Sequence, residues 1–376
     1  MNRRELFLKT AQVAVGTAIA RLSLTQPLSA SEVSVPSTGD VKRKLGRVGL
    51  RTQDMSDDTL VYLKQIGVDD VLVPPNEIRG YNDDCQMELE DLAAFKQRLE
   101  QHGLRYSAMV LDQRILANFL MGRPDGEKDL DKMCRLIEQM GEVGIPLMMY
   151  SLLISRAITN TTGKPLPGYE TKATGRGGAG MKNFSEARSN QITEEPVGPV
   201  SAEVMWQRIT RFLERCVPVA EKAKVMLALH PDDPPVAKQW GVHQVLHNLE
   251  GLKRAMTIAP SPYNGLLFCQ GTIQEAGIDL QEYIRYFGPR GKIAHVEFRG
   301  VRGNAAEYTE EFMDQGEQSL WPIVTALQDV GYDGLYEIAH VPKLINDPKR
   351  LIVNAWSIAY LKGLLTAASY RPPVKG

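Results

Sequence analysis

Val225–Pro235 reads V-M-L-A-L-H-P-D-D-P-P. The first five residues form a short apolar run of the kind a buried strand shows. The run stops abruptly at His230, Asp232 and Asp233, among three prolines that cannot donate to a sheet ladder. A buried parallel strand that ends in imidazole and carboxylate is how an α/β barrel builds a site, because reactive groups gather where strands end.

Working outward, the same unit of strand, loop and helix recurs along the chain. Strands are expected at Leu45–Arg51, Asp70–Pro75 and Leu104–Leu111, with a fourth ending at Tyr150-Ser151. The fifth is the opening stretch, and Gly265–Gly271, Lys292–Arg299 and Gly334–His340 supply three more. Helices are expected between them, for example at Asp57–Ile66, Met87–His102, Glu127–Glu142 and Ser201–Lys224. A (β/α)₈ TIM barrel over residues 45–370 accounts for this alternation. A doubly wound open sheet would want a glycine-rich turn after strand one, and none is present. Residues 152–199 break the rhythm with Gly, Thr, Asn and charge, including G-R-G-G-A-G at Gly175–Gly180. They read as a lid-like insertion after strand four, with a mobile surface loop as the alternative.

Composition bounds the partners. The 376 residues are 43% apolar and 24% charged with a net charge of −1, enough for a large core. No basic run interleaves with aromatics, which argues against nucleic acid and leaves a small polar metabolite. Residues 1–30 carry Arg3-Arg4 before Leu6-Phe7 and a weak apolar run, the pattern of a twin-arginine export signal, and Leu28–Ala30 offers a cleavage site. Residues 31–44 then read as a linker. A periplasmic location is expected, with no stable membrane span once the signal is removed, since Arg21 interrupts the apolar run. Association into a homo-oligomer is compatible with helix faces of this kind. The four cysteines have neither zinc-ribbon nor disulfide-framework spacing.

If the strands close into a barrel, the late strand ends converge. They carry His230, Cys269, His295 or Glu297, and Glu337 or His340. Side chains alternate along a strand, so His295 and Glu297 share one side, and Glu337 shares a side with Ala339. A lone histidine or cysteine at such a place is usually a core residue. Glu337 inside an apolar strand is costly unless paired or metal-bound. Together the set suits a divalent transition metal such as Mn²⁺, Fe²⁺ or Zn²⁺.

H-P-D-D-P-P (His230–Pro235), S-P-Y-N-G-L-L-F-C-Q-G (Ser261–Gly271), F-R-G-V-R-G (Phe298–Gly303) and H-V-P (His340–Pro342) closely resemble the mannonate dehydratase family. R-G-G-A at Arg176–Ala179 also looks like a family segment, and the likeness runs roughly from Leu45 to Ile345. It implies a xylose-isomerase-like barrel that dehydrates D-mannonate to 2-keto-3-deoxy-D-gluconate with a divalent metal, typically Mn²⁺. His230 and Cys269 match two of the family's ligands. Glu297 stands at the position of its third, a histidine, with His295 two residues earlier as the alternative. Ala339 replaces the fourth, an aspartate, so Glu337 is expected to take over that role. His340 matches the family's acid/base histidine.

Asp314 and Tyr150 are the expected proton donors to the leaving hydroxyl. Arg299, Arg302 and Arg176 are the expected substrate-binding residues. The departures leave two other readings open. One is a metal-dependent sugar or keto-sugar isomerase or epimerase. The other is a sugar-binding barrel without catalysis.

Overall fold

The computed structural model describes residues 44–370. The proposed signal and most of the linker lie outside them. Eight parallel strands close into a barrel: β1 (Arg47–Arg51), β2 (Asp70–Val73), β3 (Arg105–Val110), β4 (Leu147–Tyr150), β5 (Met226–Leu229), β6 (Asn264–Cys269), β7 (Ile293–Phe298) and β8 (Leu335–Ile338). Each pairs with its sequence neighbours, and β8 closes on β1 with Gly49 beside Glu337. The expected strands are all present, trimmed by a residue or two at their ends.

Both faces of every strand are covered, so the strands read as nearly continuous apolar runs. Alternation still decides which side chain goes where. Leu72, Ala108, Leu147, Met149, Ala228, Leu267, Cys269 and Leu335 fill the barrel interior as one cluster. Their immediate neighbours, among them Val71, Val73, Met148, Leu227 and Phe268, pack outward beneath the helices. The ladder between β6 and β7 shifts register after Leu266, so strict alternation along β7 holds only from His295 upward.

Helices close off the outside in the expected places. Ala202–Ala223 is started by the Ser201 side chain accepting from the Val204 N–H, a local N-cap that satisfies one orphan donor of the first turn. The closing helix Leu351–Ser369 packs on Leu320–Asp329 and on β1 and β8. By length and composition it is apolar enough to cross a membrane, and a third of its most apolar window is buried here.

The insertion after β4 differs from expectation. It is neither structureless nor a bare loop. It carries the helix Ile154–Thr162 and two strands, Tyr169–Lys172 and Met181–Ser185. These join a hairpin that follows β7, Gly300–Asn304 and Glu307–Glu311, in one antiparallel sheet of four strands. Tyr308 of the hairpin is buried on Phe184 of the insertion, with ring centroids 5.4 Å apart. The sheet therefore ties two distant segments together over the C-terminal face of the barrel.

Candidate metal centre and active site

His230 directly follows β5, Cys269 ends β6, and Glu297 is the penultimate residue of β7. Cys269 and Glu297 are register partners. The three donor atoms lie within 4.8 Å of one another. Each is prepared for its role. The His230 Nδ1 lies 2.6 Å from the Pro231 carbonyl, which can only accept, so Nδ1 carries the proton and Nε2 keeps a lone pair. Burial lowers the affinity of His230 for a second proton, which keeps the ring neutral. Burial alone would raise the Glu297 carboxyl, but the permanent positive charge of Arg51 beside it helps hold it low and ionised. Burial pushes the Cys269 thiol well up, so a nearby cation is what would hold it as thiolate. Thr272 Oγ1 donates to its sulfur at 3.1 Å. One imidazole, one thiol and one carboxylate converging in this way fit a divalent first-row ion.

Glu337 does not join them. Arg51, at the end of β1, reaches across the barrel mouth to it, Nε to Oε1 at 3.0 Å and Nη2 to Oε2 at 3.3 Å. The fully buried His295 Nε2 contacts the same Oε2 at 2.9 Å. Both oxygens are thus engaged, and Glu337 lies outside the group of three donors while it orients Arg51 and His295. His295 sits one layer below Glu297 and serves Glu337 rather than the donor group. Ala339 contributes a backbone N–H to Phe298 and no donor of its own. Arg51 also approaches Glu297 at 3.4 Å. Sequence reading missed Arg51, though a charge at the end of β1, on the inward parity of Gly49, was the available signal.

His340 follows the strand end at β8 with φ of 54°, a left-handed backbone that turns its ring back toward the barrel mouth. Its Nδ1 lies 2.6 Å from Glu310 Oε1 and 2.6 Å from Arg299 Nη1. Arg299 is fully buried, with both terminal nitrogens engaged and Nε left without a partner. Its Nη2 forks onto Glu275 at 3.0 and 2.9 Å, and its Nη1 reaches Asp233 and Glu310, each at 3.3 Å. A methyl group on Gly271 would fall 2.2 Å from Arg299 Nε, so the arginine needs glycine there. Asp233 in turn accepts from Tyr169 and Tyr308 at 2.9 and 3.1 Å, which anchors the antiparallel sheet to the loop after β5. Asp232 points elsewhere. It accepts from the Leu246 N–H at 2.6 Å, and burial pushes its carboxyl up to about 7.

Several expected site residues are placed away from this centre. Arg299 has no free donor fork for a substrate. Arg302 is exposed on the hairpin and bonds Glu311 and the Gln315 carbonyl. Arg176 and Asp314 pair with each other at 2.8 Å, with the guanidinium over the Phe312 ring. Tyr150 contributes to the cavity wall, yet its ring turns outward and stacks on Phe212 with centroids 5.1 Å apart, as the inward position of Met149 dictates. Replacing Tyr150 with phenylalanine is therefore expected to change kcat by less than about twofold, where loss of a general acid would cost about 100-fold or more. Steady-state kinetics of Tyr150→Phe reads the difference directly.

His230, Glu297 and His340 open on a cavity of about 290 Å³, with Cys269 buried behind them. Arg51, Arg156 and Asn160 line its other walls. Arg156 and Asn160 are one turn apart on the inserted helix Ile154–Thr162, so they share a face. Arg156 is about a third exposed and lies 3.7 Å from Asp233. It was not singled out from the sequence, because only the fold shows which face of the insertion meets the barrel.

Comparison with known proteins adds an independent finding. The family model described as D-mannonate dehydratase (UxuA) matches residues 180–372. The mannonate dehydratase of Thermotoga petrophila is 30% identical over 252 residues, 65% of this chain and 64% of the relative. That of Thermotoga neapolitana is 26% identical over 312 residues, 75% of this chain and 86% of the relative. The aligned part thus spans just under two thirds of the first relative's length and most of the second's. The crystal structure of mannonate dehydratase from Streptococcus suis superposes with a TM-score of 0.73 at 21% identity, over 86% of this chain and 94% of that one. At that identity it bears on the fold alone.

Proposed function

The chain belongs to the mannonate dehydratase family, and from that membership we propose that it is a hydro-lyase acting on a D-mannonate-like aldonic acid. The product is the 2-keto-3-deoxy acid and water. The observation that carries the reading is the convergence of His230, Cys269 and Glu297, two of which line one cavity with His340. Those three residues would hold a divalent ion, Mn²⁺ by family expectation with Fe²⁺ and Zn²⁺ as alternatives. When bound, it supplies Lewis-acid stabilisation of negative charge that develops on substrate oxygens.

The chain's own groups do the rest. His340, kept neutral by burial, takes the proton from C2 of the acid. Once charged, it is the cavity-lining group that returns a proton to the departing C3 hydroxyl. Arg156, exposed in the cavity wall, pairs with the substrate carboxylate. Arg51 keeps the two buried glutamates charge-balanced. Production of a 2-keto-3-deoxy acid from D-mannonate by metal-supplemented protein tests the proposal. Failure on D-mannonate and on its hexonate epimers alike would sink it.

Arg156→Ala should raise KM for the acid about 10–100-fold while kcat moves less, since a charge-assisted bond is worth roughly 1.5–3 kcal/mol. An unchanged KM would remove Arg156 from the site. We also propose, from Arg3-Arg4 and the run that follows, that the protein is exported to the periplasm. Fractionation of wild type against an Arg3→Lys, Arg4→Lys variant tests this.

A further inference from the structure

Glu310 was not foreseen as functional. It comes from the hairpin after β7, is 4% exposed, and meets His340 at Nδ1 without itself lining the cavity of His230 and Glu297. A ring nitrogen carries either a proton or a lone pair, never both. The His340 Nδ1 nevertheless faces an acceptor, Glu310 Oε1, and a donor, Arg299 Nη1, at 2.6 Å each.

The neighbours decide between them. Lys182 Nζ lies 3.1 Å from the same Glu310 oxygen, and Arg299 Nη1 lies 3.3 Å from it. Two cations keep that oxygen an ionised acceptor. A bare Nδ1 against it would set lone pair against lone pair in a buried place. Arg299 has other outlets, since the two hydrogens on Nη1 are within reach of Asp233 and Glu310. The Nη1 hydrogens have carboxylate acceptors besides the ring, whereas the ionised carboxylate has no hydrogen of its own to offer Nδ1.

We propose that Glu310 is the positioning residue of this site: it holds the proton of His340 on Nδ1, so that Nε2 presents its lone pair to the cavity. The antiparallel sheet then has a catalytic purpose. Strand Glu307–Glu311 is paired with Met181–Ser185 of the insertion, and that pairing places Glu310 behind His340. The residues in the ionic surround of His340 are Glu310, Lys182, Arg299, Asp233 and Glu297. Among these, Glu310 is the acceptor in hydrogen-bond contact with the ring.

This inference rests on His340 as the base of the proposed reaction, and its test separates the two. Nitrogen-15 spectra of histidine-labelled protein, with His340 assigned by its absence in His340→Asn, read the tautomer without any substrate. The expected result is a protonated Nδ1 and a bare Nε2 in wild type. Glu310→Gln should reverse this, because its amide N–H₂ donates to Nδ1. Kinetics then discriminates positioning from mere support. A structural role makes the isosteric Glu310→Gln milder than Glu310→Ala.

Tautomer control makes Glu310→Gln at least as slow as Glu310→Ala. In that case kcat falls about 100-fold, KM stays within about threefold, and Glu310→Asp recovers most of the rate. In a His340→Asn background, Glu310→Gln should cost nothing further. A wild-type ring protonated on Nε2, or a Gln variant faster than the Ala variant, overturns the proposal. Absence of dehydration on every hexonate would sink the reaction instead, and leave the spectra to decide the tautomer.

Discussion

Glu297→Ala is expected to strip the purified protein of most of its divalent metal, to about a tenth of the wild-type content or less. The expected activity is correspondingly negligible. Glu297 is the donor already ionised in the bare site, with the Arg51 charge opposing the effect of burial. Removing it leaves one imidazole and one thiol, and the thiol, raised by burial, then loses a proton only at greater cost. Glu337 should behave differently. Its oxygens are taken by Arg51 and His295, so Glu337→Gln loosens a neighbouring support rather than deleting a donor. Changes of that kind weaken metal binding about 10–100-fold without abolishing it. Metal content by elemental analysis, with affinities from chelator competition, separates the two variants. Equal losses in both would restore Glu337 to the donor set, and metal retained by Glu297→Ala would remove Glu297 from it.

The second large effect is on stability. Arg299→Met is expected to cost about 3–5 kcal/mol, the usual consequence of breaking a buried ionic cluster by removing one partner. Asp233, Glu275 and Glu310 would remain buried around the gap. A loss of that size is a large share of the stability of an ordinary domain. It should lower the unfolding midpoint on the order of 10 °C.

The pH dependence has a definite sign. Burial alone would raise the Glu310 carboxyl, but His340 and Lys182, helped by Arg299, pull it down to about 2. A carboxyl lowered in the folded state stabilises the fold above its unfolded value of about 4.3. That contribution, roughly 3 kcal/mol, is lost as pH falls from there toward 2. The gap between wild type and Arg299→Met should therefore narrow across the same window, because protonated carboxyls no longer need the arginine. Thermal melts at a series of pH values measure it. A gap that stays constant down to pH 3 would show that Arg299 acts through packing alone.

Much of the architecture was legible before any coordinates. Strands such as V-M-L-A-L and G-L-L-F-C, each ending in a histidine or cysteine, mark both the buried barrel and its working end. A charge or thiol at the end of an apolar run has few uses other than a site. Parity also worked locally. It set Glu337 inward, and it would have turned Tyr150 outward had Met149 been placed first. It was silent on the choice between His295 and Glu297, which share a side and differ by one layer.

What the sequence determined by itself is the repeat of strand and helix, and the identity of His230 and Cys269 as strand-end groups. Those follow from burial on both faces of each strand, a local pattern that any window of a few residues displays. The partners of those groups were decided only by tertiary structure. Arg51 and Glu337 are 286 residues apart and meet because the barrel closes. Glu310 reaches His340 because an insertion and a hairpin far apart in the chain, Ser185 beside Glu307, share a sheet. Arg299 reads as free to bind substrate, yet the fold surrounds it with three acidic side chains from a loop, a helix end and a strand. Charge pairing of this kind depends on distance in space, and hydrophobic periodicity carries no record of it.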